Sequence, residues 1–168
     1  MKIIKYFFEF IFVIIFFSLF KILGPKKSSY IGGKIFEIIG PLFRSEKIIH
    51  LNIKRVISDI DNENLKKLTR LMWNNYGRIF AEYVFIKEFR AGSLASNIEV
   101  EGKEIIEEII INNQQVVFVS GHLSNFELMA MELEKAGINL SAIYRPLNNV
   151  FLNPLIERIR KKYICKNQ

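Results

Sequence analysis

The sequence predicts an α/β fold: an amino-terminal membrane helix and a helical region, then a partial, mostly parallel sheet with crossover helices. Three observations predict it. Residues Phe10 to Phe20 carry no charge; Leu65 to Val84 repeat apolar residues at helical spacing; and from Asn97 onward short strand-like runs alternate with helical ones. Alternation of that kind is the mark of a layered α/β domain with right-handed crossovers.

Of 168 residues half are hydrophobic and 13% aromatic, with 24 Lys+Arg against 17 Asp+Glu, a formal charge of +7. A mean hydropathy of +0.17 is high for a soluble domain. The composition excludes a disordered tail, and a single cysteine, Cys165, excludes an internal disulfide and a cysteine-rich metal site.

The apolar excess is concentrated at the start. Ile3 to Leu23 reads IIKYFFEFIFVIIFFSLFKIL, long enough as a helix to cross about 30 Å of hydrocarbon. Glu9 and Lys21 fall near its ends, where long side chains reach the headgroups. A cleaved signal peptide is a rival, but Gly24-Pro25-Lys26-Lys27 follows where a small-x-small cleavage site belongs. A buried hairpin helix is another, because the uncharged stretch is shorter than a full span. The expectation is a retained anchor over residues 1–24. Lys2 and Lys5 precede it, and Lys21, Lys26, Lys27, Lys34, Arg44 and Lys47 follow it, so the positive-inside tendency puts the rest of the chain in the cytoplasm. Scattered among Ile and Phe, with no nucleic-acid-binding signature, these cations suit anionic lipid and not nucleic acid.

Residues 25–92 read as a helical, membrane-proximal region with breaks at Gly24-Pro25, Gly32-Gly33 and Gly40-Pro41. In its longest helix Leu65, Leu68, Leu71, Met72, Tyr76, Ile79, Phe80, Tyr83 and Val84 recur at spacings near three and four, an amphipathic pattern, with Asp61 or Asn62 as the cap. The aromatic stripe serves core packing, or else faces lipid or substrate. His50 reads as a surface or packing residue.

Residues 93–168 read as the first part of an α/β domain. Asn97 to Glu101 alternates like a strand, Gly102 to Asn113 is helical, and Gln115 to Val119 (QVVFV) suits a buried strand. A polar turn follows, then a helix from about Ser124 to Ala136, a stop at Gly137, a strand from Asn139 to Tyr144, a loop from Arg145 to Asn149, and a last helix to about Lys162.

Chemistry collects at the carboxyl ends of such strands. There stands Ser120-Gly121-His122-Leu123-Ser124-Asn125-Phe126-Glu127. On one continuous helix His122 and Glu127 would lie about 140° apart. With His122 in the turn and Glu127 in the first helical turn, the chain folds back and the carboxylate reaches the imidazole. A carboxylate on one ring nitrogen fixes the tautomer and makes the other nitrogen a better base, fit to take a proton from a substrate hydroxyl. Gly121 lets the backbone approach a ligand. The same residues also fit a plain capping box, Ser124-x-x-Glu127, with His122 an ordinary loop histidine. A hydrolase using His122 and Glu127 as metal ligands lacks further His or Cys to complete the coordination, and no metal or other cofactor is expected.

The stretches IEVEG at Ile98 to Gly102, VVFVSGHLSNFELMA at Val116 to Ala130, and AIYRP at Ala142 to Pro146 together resemble the lipid A late acyltransferase family. These membrane enzymes add secondary acyl chains to the lipid A precursor of Gram-negative outer membranes. The residues that carry the resemblance are Gly121, His122, Asn125, Phe126 and Glu127, then Tyr144, Arg145 and Pro146. The broader glycerolipid acyltransferases share a His-x4-Asp core; Gly121 and Glu127 favour the lipid A branch.

The resemblance implies a fold like the glycerolipid acyltransferases, with His122 as general base on the acceptor hydroxyl and Glu127 as its orienting partner. The donor it implies is an acyl carrier protein thioester. The acceptor is a lipid A precursor or a related glycolipid or lysophospholipid. Arg145 then meets an acceptor phosphate or an acidic face of the carrier, or is an ordinary strand-end arginine. Asn125 donates into the site or supports the helix start. The implied location is the bacterial inner membrane, with the catalytic part facing the cytoplasm. Members of the family run to nearly twice this length, so the sequence reads as an amino-terminal portion with an incomplete sheet. An inactive membrane-associated interaction module is the alternative in another class.

Overall fold

A computed structural model describes residues 2–167. Met1 and Gln168, the outer ends of the expected anchor and α/β segment, lie outside the described residues. Among the described residues eight α-helices run in chain order: α1 (Lys2–Leu23), α2 (Pro25–Ile39), α3 (Glu46–Val56), α4 (Asn62–Glu82), α5 (Ile86–Ala91), α6 (Lys103–Ile111), α7 (Glu127–Lys135) and α8 (Leu152–Tyr163). They gather into two compact units. One runs Phe16–Val84; the other joins the residues up to Ile15 with those from Phe85 onward.

α1 is the one helix among the described residues long and apolar enough to cross a membrane, which is support from length and composition alone. Most of it is exposed, with a half-buried stripe that includes Tyr6, Phe10, Val13 and Phe17, and Phe20 is its buried residue. Gly24, at φ +78°, then breaks the chain in a conformation that L side chains rarely adopt, and Pro25 opens α2 where its missing N–H costs nothing.

In the unit Phe16–Val84, α2 lies against α4. The expected break at Gly32-Gly33 is absent: α2 runs straight through it. A Cβ on Gly77 of α4 would stand 2.1 Å from the Gly32 carbonyl oxygen, so the glycines let two backbones touch. Polar side chains lace the same seam. Glu82 accepts from Ser29 (2.8 Å), Ser29 from Arg78 (3.3 Å), Asn74 from Arg78 (2.7 Å) and Glu37 from Asn74 (2.6 Å). Of the aromatic stripe, Phe80 packs inward, meeting Phe17 at 5.2 Å and Phe36 at 5.5 Å between ring centres, while Tyr76 is exposed. Asp61 caps α4, accepting from the Asn64 amide at 2.8 Å.

The other unit is also helical, and this overturns the expected α/β class. No sheet forms among the described residues. One isolated parallel bridge, Ser141 with Asn167, is its sole strand-like pairing there. The segments expected as strands, 97–101, 115–119 and 139–144, run without ladders. The reason is burial. A continuous apolar run holds as a parallel strand only inside a sheet covered on both faces, whereas Val117 and Val119 are 89% and 91% exposed and Ile143 is fully so. With no neighbour to take its N–H and C=O groups, a run of five residues has nothing to pair with.

What holds this unit is a helical core around Ile86, Met131, Leu133, Ile164 and Cys165, all buried. Arg90 of α5 pins it by pairing with Glu134 of α7 at 2.8 Å and donating to the Tyr163 carbonyl at the end of α8. At the start of α8, buried Asn149 accepts from the amides of Phe151 and Leu152 and donates to the Tyr6 carbonyl and the Glu9 carboxylate of α1. Phe151 packs edge-on against Phe7 beside it.

Candidate functional site

The segment from Asn112 to Phe126 is an irregular loop, exposed except for half-buried Phe118, Asn125 and Phe126. Ser124 takes φ +49°, a strained value for a residue with a Cβ, and turns the chain sharply into α7. α7 therefore starts at Glu127, not at Ser124 as periodicity suggests. Phe126 occupies the capping position and no side chain caps the helix. The capping-box role for Glu127 is thereby excluded.

Glu127 is buried, and its carboxylate turns to α8. Oε1 accepts from Nε of Arg160 at 2.8 Å and again from Nη2, a short charge-assisted contact. The two side chains are 8% and 18% exposed, so water screens the pair little. Arg160 is held from its other side too: Cζ lies 4.6 Å from the ring centre of Tyr144, in cation–π range. The Tyr144 hydroxyl donates to Oδ1 of Asn153 at 2.8 Å, and the same oxygen accepts from the Leu147 amide at 2.7 Å.

His122 is exposed and packs edge-on against Phe126, ring centres 4.3 Å apart. Among the described residues His122 gives Glu127 no hydrogen bond; the two lie on either side of the Ser124 turn, and both bonds from Arg160 fall on one carboxylate oxygen. Gly121 is exposed, and a Cβ there would meet only the Leu123 side chain at 3.4 Å, so nothing in the chain itself demands glycine. Asn125 is half-buried between them. Arg145 is exposed in the turn fixed by Asn153 and makes no hydrogen bond or ion pair to a described residue.

The structure thus joins buried Glu127 to the half-buried Arg160, Tyr144 and Asn153, and leaves Gly121, His122 and Arg145 facing solvent. Arg160 escapes a reading of the sequence because Glu127 lies 33 residues back along the chain, and Asn153 because its partners sit in an irregular loop that carries no period. A signal does exist. Asn153, Ile156, Arg160 and Tyr163 fall on one stripe of α8, so a cation and an amide interrupt a face otherwise fit for packing.

A family model for bacterial lipid A biosynthesis acyltransferases matches residues 1–166. The chain belongs to that family. It is therefore an acyltransferase, working between an acyl donor and a lipid acceptor. No curated protein matches it, and no solved structure does. In this acyltransferase the buried carboxylate of Glu127 opens α7 directly after the loop that carries His122.

Proposed function

We propose that the protein is a membrane-bound acyltransferase moving a fatty acyl chain from an acyl carrier protein thioester to a hydroxyl of a lipid A precursor, with His122 as general base. The observation that carries the reading is buried Glu127 at the start of α7, five residues after an exposed histidine, with Arg160 holding one carboxylate oxygen. Arg160 holds the Glu127 carboxylate in one orientation. Its second oxygen is left for an imidazole N–H, and the histidine closes onto it when the acceptor arrives, as catalytic hydrogen bonds often tighten only in the complex.

The chemistry balances without a further group. The outer imidazole nitrogen takes the hydroxyl proton, and the oxygen attacks the thioester carbonyl. The C–S bond then breaks, and the thiolate leaves with the proton the imidazolium returns. Arg145, exposed and uncommitted, meets an acceptor phosphate or an acidic face of the carrier, while Asn125 and Gly121 line the approach to His122. Residues 1–24 serve as the anchor in the bacterial inner membrane, 25–92 as the membrane-proximal helical region, and 93–168 as the acyltransferase portion facing the cytoplasm.

The test is the mass of a purified lipid A precursor incubated with acyl carrier protein thioester and membranes containing the protein. One added acyl chain is expected, with His122→Ala reducing the rate by about 10²-fold or more. Gain of mass unaffected by His122→Ala overturns the assignment of the base; gain on another glycolipid or a lysophospholipid alone moves the acceptor. A second reading, an inactive interaction module, draws on exposed Val117, Val119 and Ile143. Membranes that transfer nothing to any of these acceptors select it.

A further inference from the structure

Arg160 ends a long, flexible side chain, and something must keep its guanidinium on Glu127 beside an exposed loop. α8 supplies the means. Asn153 and Arg160 are seven residues apart, which on a helix puts them within about 20° of one face and roughly 10 Å apart along the axis. Tyr144 lies along that face. Its hydroxyl is fastened to Asn153 Oδ1 at 2.8 Å, and its ring forms the floor under the Arg160 guanidinium at 4.6 Å. Asn153 also accepts from the Leu147 amide at 2.7 Å, so its carbonyl oxygen uses both lone pairs.

We infer that Tyr144 and Asn153 form a clamp that holds Arg160 against Glu127 and so positions the catalytic carboxylate. The inference rests on the reading of Glu127 as the partner of His122. Neither residue touches the reacting atoms; both are positioning residues acting through Arg160. The ring fixes the guanidinium from one side while Glu127 takes its Nε and Nη2 edge from the other. Removing the hydroxyl or its acceptor leaves the ring free to tilt, and the guanidinium loses its floor. The clamp affects a step that needs the His122–Glu127 pair in place, so its loss appears in kcat and not in substrate binding.

The experiment is acyl transfer from acyl carrier protein thioester to a lipid A precursor by wild type, Tyr144→Phe, Asn153→Ala, Asn153→Asp and the double variant Tyr144→Phe/Asn153→Ala. Tyr144→Phe and Asn153→Ala are expected to lower kcat by roughly tenfold, the scale of one hydrogen bond, with KM for both substrates within about twofold. The double variant falls no further than the worse single one, because both remove the same bond. Asn153→Asp, which keeps both acceptor positions, retains most of the rate. Exchange of the Leu147 amide reads the clamp without activity: slow in wild type and Asn153→Asp, fast in Asn153→Ala. Wild type that transfers nothing overturns the reading of the site, and this inference with it. Transfer by wild type with undiminished kcat in Tyr144→Phe overturns the inference alone. So does a loss confined to KM in Asn153→Ala, which would place its effect on the Arg145 turn.

Discussion

Glu37 and Glu127 are both partly or wholly buried and answered by cations, yet they are bound in opposite ways. Glu37 lies between α2 and α4. Oε1 accepts from Lys34 at 3.0 Å and from Asn74 at 2.6 Å, and Oε2 accepts from Lys34 at 3.1 Å. Both oxygens are spoken for, by the preceding turn of the same helix and by its neighbour. Glu127 receives Arg160 on one oxygen only and stands one turn from an exposed histidine. Saturation marks a group that holds helices together; a half-used carboxylate with a fixed orientation is the kind that chemistry can employ.

The largest way to break the contrast is Arg160→Ala. It leaves a buried carboxylate unpaired, which costs about 3–5 kcal/mol, and urea denaturation should show a matching fall in midpoint. Replacing both partners with leucine should cost much less than the single change, because no orphan charge remains. Next comes Gly77→Ala, where the added Cβ meets the Gly32 backbone. Overpacking at a rigid contact predicts a loss of about 1–3 kcal/mol, seen as lower thermal stability of the α2–α4 pair and faster proteolysis there.

Acid sharpens the comparison further. The Lys34 hydrogen bond holds the Glu37 carboxyl below its ordinary 4.5; burial opposes this, while the Asn74 bond and the charges of Lys34 and Arg70 add to it. A depressed carboxyl stabilises the fold above its ordinary value, and that share fades as pH falls through the lowered one. Helix content followed from pH 6 downward should therefore show a loss beginning near about pH 4.5 that Glu37→Gln flattens. The smallest effect belongs to Asp61→Ala. The Asn64 backbone amide, and then its side chain, hold this exposed carboxyl low, and removing the cap should lower the melting temperature only slightly.

What was legible in the sequence follows the reach of each interaction. α4 and its Asp61 cap are read from neighbours three and four residues apart, and α1 from composition alone. Gly32-Gly33 was misread because glycine signals a local break, whereas here it serves a contact with Gly77 on another helix. QVVFV at 115–119 has the residues of a strand, but a strand is completed by partners elsewhere, and none of the described segments supplies a ladder. The site divides in the same way. The His122–Glu127 spacing and the Tyr-Arg-Pro turn are visible in the chain. The partner of Glu127 is not, because Arg160 lies 33 residues on and is brought back by the packing of α7 and α8.

Asn149 has a practical side. Membrane proteins are commonly shortened to begin after their hydrophobic helix, to make them easier to purify in water. Here such a deletion strips the Tyr6 carbonyl and the Glu9 carboxylate from a buried amide and uncovers the first turn of α8. The helix whose first amides Asn149 holds carries Arg160 in its last turn, so trimming for solubility reaches the group that steadies Glu127. A detergent that keeps α1 in place is the better preparation.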